Sequence, residues 1–181
     1  PISIFIWDIE SGAIVRTLPG HTGLPLDLVI SPDGKFIASG GNDKTVHLWD
    51  FQTGEIRQIF RGHMSTVVSL NFSLDSQSLV SGGYDQLINI WDIRSERLRG
   101  SLKSHGRIAR RLRFSPNGEM LGITCNDGSG YLFDLSAYNN RSKSLVASTG
   151  LRPTVGPLAH ILKGHTGYVN FIAFSDRKSV V

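Results

Sequence analysis

The chain has 181 residues, 40% hydrophobic, 19% charged and 9% aromatic, with a formal net charge of +4. This suits a soluble module: no apolar run approaches the roughly 20 residues of a membrane span, and no signal peptide opens the chain. The one cysteine, Cys125, excludes an internal disulfide and points to an intracellular compartment, cytoplasmic or nuclear.

In chain order, residues 1–19 form a partial unit carrying Trp7-Asp8. The unit 20–61 opens on Gly20-His21, passes the turns Ser31-Pro32-Asp33-Gly34 and Asn42-Asp43, and reaches Trp49-Asp50. The unit 62–103 repeats this with Gly62-His63, Ser73-Leu74-Asp75-Ser76, Tyr84-Asp85 and Trp91-Asp92. The unit 104–163 keeps the register with Ser104-His105, Ser115-Pro116-Asn117-Gly118, Asn126-Asp127 and the degenerate Phe133-Asp134. A partial unit, 164–175, begins at Gly164-His165. The step is 42 residues except from His105 to His165, where it is 60, so 18 extra residues fall within an insertion spanning 136–157. Runs such as Lys35 to Gly40, Thr45 to Asp50 and Leu87 to Asp92 have strand length and composition, and no segment sustains a helical apolar period. The chain is predicted to be all-β.

A repeat of about 40–45 residues with Gly-His early and Trp-Asp late resembles the WD40 family. The resemblance covers about Ile4 to Ser175. It implies a β-propeller whose blades each hold four antiparallel strands, a to d from the channel outward. Gly-His would lie in the d-to-a loop, the Pro-Asp-Gly turn would join a to b, the Asp turn b to c, and Trp-Asp would end strand c. The count gives about three to four blades. Since propellers close with roughly 4 to 8, this one is expected to be an open fragment with exposed edges prone to aggregation or partial disorder.

The resemblance also implies a structural tetrad. A buried indole N–H must find an acceptor, and an unpaired buried donor costs about 1–3 kcal/mol. Trp would bond a strand-b Ser, Ser would bond His, and His the turn Asp. The positions are Trp49, Ser39, His21 and Asp43, then Trp91, Ser81, His63 and Asp85. In the next unit His105 and Asp127 remain, but Ile123 and Phe133 replace Ser and Trp. Both ends of one bond are lost together, as partners would be.

Ser, His and Asp also suit a nucleophilic triad. Here they recur at identical spacing in consecutive units, whereas an active site is normally built once, so no catalytic residue is assigned. No metal site is assigned either: the Gly-His histidines are whole units apart, and His47 and His160 lack Cys, His or paired carboxylates at ligand spacing. The run Asn126-Asp127-Gly128-Ser129-Gly130 lacks the acid series of a calcium loop and reads as a tight turn. No cofactor or small-molecule substrate is implied.

Partner choice must then lie between the repeated motifs. Residues that follow Gly-His or flank the turn Asp are the candidate contacts: Leu24, Asn42, Lys44, Thr66, Tyr84, Gln86, Arg107 and Tyr168. Exposed aromatics and Arg are the usual anchors, which ranks Tyr84, Arg107 and Tyr168 first. The polar insertion could be a binding loop or a solvated spacer, with Arg141-Ser142-Lys143-Ser144 open to phosphorylation. Arg94, Arg97, Arg99, Lys103, Arg107, Arg110, Arg111 and Arg113 stand against Glu96 alone, a local charge of +7. Such a basic patch suits solvated rim charge, acidic partners or nucleic acid, but it has almost no interleaved aromatics for base stacking.

Trp91-Asp92-Ile93-Arg94 also resembles the Trp-Asp-x-Arg pattern by which some WD40 substrate receptors dock on a cullin–RING ubiquitin ligase adaptor. The final hexapeptide, Asp176 to Val181, leaves the repeat and equals the in-frame translation of the adapter stretch GATCGGAAGAGCGTCGTG, so a non-native tail is expected there. The leading expectation is a noncatalytic scaffold for protein or peptide partners. A ligase receptor, an anion-binding or nucleic-acid-binding surface, and a regulatory propeller of a larger enzyme are the alternatives.

Overall fold

Three polar turns and a run of strands buried on both faces set the architecture. In the computed structural model, which describes residues 2–136, 158–163 and 169–174, the elements are β-strands. They are β1 (Ile2–Trp7), β2 (Ile14–His21), β3 (Pro25–Ile30), β4 (Phe36–Gly41), β5 (Thr45–Asp50), β6 (Ile56–Arg61) and β7 (Val67–Phe72). There follow β8 (Ser78–Gly83), β9 (Leu87–Asp92), β10 (Arg97–Lys103), β11 (Ala109–Phe114), β12 (Met120–Cys125), β13 (Gly130–Asp134) and β14 (Leu158–Leu162).

The strands form one two-stranded sheet, β1-β2, and three antiparallel four-stranded sheets, β3 to β6, β7 to β10 and β11 to β14, each in sequence order. Neighbouring sheets meet through their first two strands: β7 packs on β3 and β4, and β11 on β7 and β8. This is the radial stacking of propeller blades, here in an open array. Because β14 pairs with β13, residues 137–157 connect strands c and d of one sheet; that segment, with residues 164–168 and 175–181, lies outside the described residues.

The a-to-b turns show why Ser and Asp recur. The hydroxyls of Ser31, Ser73 and Ser115 donate to Asp33, Asp75 and Asn117 two residues on, and accept the amides of Phe36, Ser78 and Met120. Gly34 and Gly118 sit at φ +70, and Ser76 takes the same left-handed place at φ 58. Side chains also tie one sheet to the next: Leu70 N donates to Asp27 Oδ2 at 2.7 Å, and 42 residues later Leu112 N donates to Ser69 Oγ at 3.2 Å. The equivalent residue in the following unit is Arg111, a donor only; its guanidinium instead lies 6.0 Å from the Phe171 ring centroid.

The middle strands β4, β5, β8 and β9 are buried almost throughout, as strands covered on both faces must be. Trp49, Trp91 and Phe133 are the largest fully buried side chains. Trp7 differs: among the described residues β1 pairs with β2 alone, and Trp7 is 57% exposed. The first Gly-His pair also departs from the expected loop, since β2 continues through Gly20 to His21, which pairs with Ile2.

Close approach between sheets requires glycine at Gly40, where a Cβ would stand 2.6 Å from Val67 Cγ1. Gly40→Ala should therefore destabilise the chain by about 1–3 kcal/mol, through overpacking. Urea denaturation of the two single variants and the double variant with Val67→Ala should show coupling between the sites, and simple additivity would contradict the contact.

Candidate functional site

The indole of Trp49 lies on β5 and the hydroxyl of Ser39 on the adjacent β4, two strands whose register is held by pairing of Ile37 with Trp49. Trp49 Nε1 donates to Ser39 Oγ at 2.9 Å. Ser39 Oγ lies 2.7 Å from His21 Nε2, and His21 Nδ1 lies 2.7 Å from Asp43 Oδ2. The next sheet repeats the chain: Trp91 to Ser81 at 2.8 Å, Ser81 to His63 at 2.7 Å, His63 to Asp85 at 2.9 Å.

The polarity follows from the groups. An indole N–H only donates, so the serine oxygen accepts it; the serine proton then goes to His Nε2, and the His Nδ1–H to the carboxylate. The carboxylates also fasten loops: Asp43 accepts from Thr22 N and Thr45, and Asp85 from Met64 N and Leu87 N. Burial raises the Asp43 pKa, but its bonds from His21, Thr45 and Thr22 prevail and hold it at about 2. Asp85 is likewise lowered: burial raises it, but the bonds from His63, Met64 N and Leu87 N together prevail.

Three glycines make room for this chain. Gly20 and Gly62 lie over the indole edges, where a Cβ would stand 3.0 and 3.2 Å from Cη2 of Trp49 and Trp91. A Cβ on Gly83 would be 2.9 Å from His63 Nδ1.

The unit from 104 to 163 has the opposite construction. Phe133 replaces Trp, Ser104 replaces Gly, Ile123 replaces Ser and Cys125 replaces Gly83. His105, expected to remain with Asp127, is instead exposed at φ 53 and stacks on Tyr131 and Phe133 with centroids 5.2 and 6.1 Å apart. Without a serine hydroxyl inside, the imidazole has no interior partner. Cys125 and Ile123 instead join a buried apolar cluster with Phe133 and Tyr131. Burial, with the nearby Asp127 charge, pushes the Cys125 thiol up to about 12, which makes it a packing group rather than a nucleophile. Asp127 is bonded by Ser129 and paired with Arg107.

His47, which lacks partners at ligand spacing in the sequence, has ligand-type neighbours in space. Its ring stacks on His21 at 3.9 Å, and one ligand atom from each of His21, Asp43 and His47 falls within 4.8 Å of the others. The segments that bring them together are 22 and 26 residues apart in sequence, beyond the reach of local spacing rules. The set is poorly arranged for a metal. Both His21 nitrogens are already bonded, and rings tilted by only 20° cannot aim in-plane lone pairs at one point. His47 Nδ1 is buried without a partner, and burial, followed by His21, lowers its pKa to about 4.

Leu24, Asn42, Lys44, Tyr84, Gln86 and Arg107 are exposed at the end of the sheets that carries the d-to-a and b-to-c connections. Thr66 is half-buried, its carbonyl accepting Tyr84 N, and Tyr168 lies outside the described residues. Met64 at the same end is 77% exposed and was missed, although its place directly after Gly-His is the signal that finds it.

The basic cluster is divided by the fold. Arg97, Arg99 and Lys103 lie on β10, an outer strand; Arg110, Arg111 and Arg113 lie on β11, the inner strand of the next sheet. Arg107 stands between them, and Arg94 borders a groove at the other end with Arg99, Asp75 and Asp92. Among the described residues no helix is long and apolar enough to cross a membrane.

Residues 12–50 and 54–92 match the family described as WD domain, G-beta repeat. The chain is similar to nuclear distribution protein PAC1 of Arthroderma otae, 51% identical over 43 residues, which is 24% of this chain and 9% of that protein. It is similar to the same-named protein of Coccidioides posadasii, 45% identical over 42 residues, 23% of this chain and 9% of that protein. Each match spans one repeat length and a small part of the relative.

Ser81→Ala should cost about 1–3 kcal/mol, since it strands both Trp91 N–H and His63 Nε2. Its loss and that of Trp91→Phe should be less than additive in urea denaturation, and full additivity would contradict the bond. His47 has a folded pKa below its unfolded 6.5, so the unfolded chain binds the extra proton between pH 6.5 and about 4. Stability should fall as pH drops through that window, and His47→Asn, the residue type at position 89, should flatten the slope; an unchanged slope would contradict the assignment.

Proposed function

We propose that this chain, whose residues 12–50 and 54–92 match WD40 repeats, is a noncatalytic scaffold that presents its Gly-His loop end to protein partners. WD40 repeats imply a protein-interaction scaffold; the choice of this end is supported by how the polar residues are used. Ser39 and Ser81 are fully buried, and their hydroxyls are each bonded to an indole and an imidazole. A nucleophile must reach substrate, whereas these hydroxyls serve the fold.

The residues between the tetrads stay free to select a partner. Leu24, Tyr84 and Met64 expose apolar surface on one end, beside the cation Lys44. Arg107 ranks below them as an anchor, because it is already paired with Asp127. The relatives named for nuclear distribution support the repeat assignment, and their matches are too short to support that role here.

Tyr84→Ala and Lys44→Glu should remove partners from affinity capture on the full-length protein while leaving its unfolding free energy within about 0.5 kcal/mol, as surface changes do. Unchanged capture by both variants would overturn the assignment of this end.

A further inference from the structure

Resting on that scaffold reading, we propose that the Gly-His loop end binds an acidic peptide segment carrying apolar anchor residues. Among the described residues the turn carboxylates at this end, Asp43, Asp85 and Asp127, are all internally engaged. Asp43 and Asp85 are committed to His21 and His63, with side chains only 6% and 7% exposed, and Asp127 is paired with Arg107. The cations are the reverse: Lys44, Arg61 and Lys103 are exposed, and among the described residues none has a carboxylate within 4.0 Å. The surface that solvent meets here is therefore positive.

The opposite end is mixed: its turns hold Asp33, Asp50, Asp75, Asp92, Glu96 and Asp134, with Lys35 paired to Asp33, Arg57 paired to Glu96, and Arg94 in the groove beside Asp75 and Asp92. An acidic segment thus meets exposed cations at the Gly-His end and a mixture of both signs at the other, which favours the Gly-His end in the encounter. Charge alone would also attract a phosphate polymer. The apolar groups decide against it: Leu24, Met64 and Tyr84 are 54%, 77% and 46% exposed at the same end. Met64 and Tyr84 flank one tetrad carboxylate, since Asp85 follows Tyr84 in sequence and accepts Met64 N. A flexible thioether beside an aromatic ring accommodates a buried Leu or Phe, with cations around it to meet Glu or Asp.

The test uses fluorescence anisotropy of the full chain with a short labelled peptide of Glu-Glu and Leu-Phe pairs. A Lys-for-Glu version and an oligothymidylate serve as comparison probes. The acidic peptide should bind and the Lys version should not. Met64→Ser and Tyr84→Ala should each weaken binding about tenfold, the range of a modest interface anchor. Lys44→Glu with Lys103→Glu should weaken it and reduce its salt dependence, while Lys35→Glu at the other end should leave it unchanged. Absence of acidic-peptide binding, or binding indifferent to Met64 and Tyr84, overturns the proposal. So does oligothymidylate binding that is lost with Lys44→Glu and Lys103→Glu but unmoved by Met64→Ser. If the peptide fails while Tyr84→Ala still removes captured partners, this inference falls and the scaffold reading stands.

Discussion

One hydrogen bond organises the rest: a fully buried indole N–H needs an acceptor, and in two successive sheets a serine on the adjacent strand provides it. Accepting that donor leaves the serine proton to be placed, which calls for an imidazole; the imidazole proton calls for a carboxylate. The carboxylate in turn collects the amides of the loop before it and the turn after it. A single buried donor thus fixes strands b and c, the preceding loop and the b-to-c turn relative to one another. The chain of bonds is worth more as a constraint on geometry than as summed energy, because each link prevents the cost of an unpaired group rather than adding a large net gain.

The sheet built from residues 109–162 shows what happens when that donor is removed. Phe133 has no N–H, so Ile123 can replace the serine without leaving a donor unpaired. Ser104 and Cys125 stand where the previous sheet needs Gly62 and Gly83, and Cys125 packs in one buried cluster with Ile123 and Phe133. His105 turns outward and Arg107 takes over the carboxylate. Polar and apolar solutions to the same blade coexist, and the residues that differ are those the bond had coupled.

Much of the fold was legible because the constraints repeat at one spacing. Strands, turns and both tetrads are encoded by residue type and by the 42-residue step, and β-strands occupy the expected segments of each unit. What was not legible depended on distance or context. Trp7 carries the same dipeptide as Trp49, yet it is 57% exposed in the two-stranded β1-β2 sheet. The rotation of His105 required reading positions 104, 123, 125 and 133 together. His47 meets His21 only once β5 and β2 are placed in space. The arginines adjacent in sequence divide because the chain passes from an outer strand to an inner one between Lys103 and Ala109.

Internal bonds occupy the tetrad serines, histidines and acids, so the charged and apolar groups that the Gly-His end turns to solvent include Lys44, Leu24, Met64 and Tyr84. That division between framework and surface rests on the direction of the tetrad bonds. Side-chain nitrogen NMR of the histidines tests it most directly. The ring proton of His21 and of His63 should be fixed on Nδ1, with Nε2 accepting from serine, whereas exposed His105 should average between tautomers. A proton on Nε2 of His21 or His63, or tautomeric averaging at either, would contradict the account.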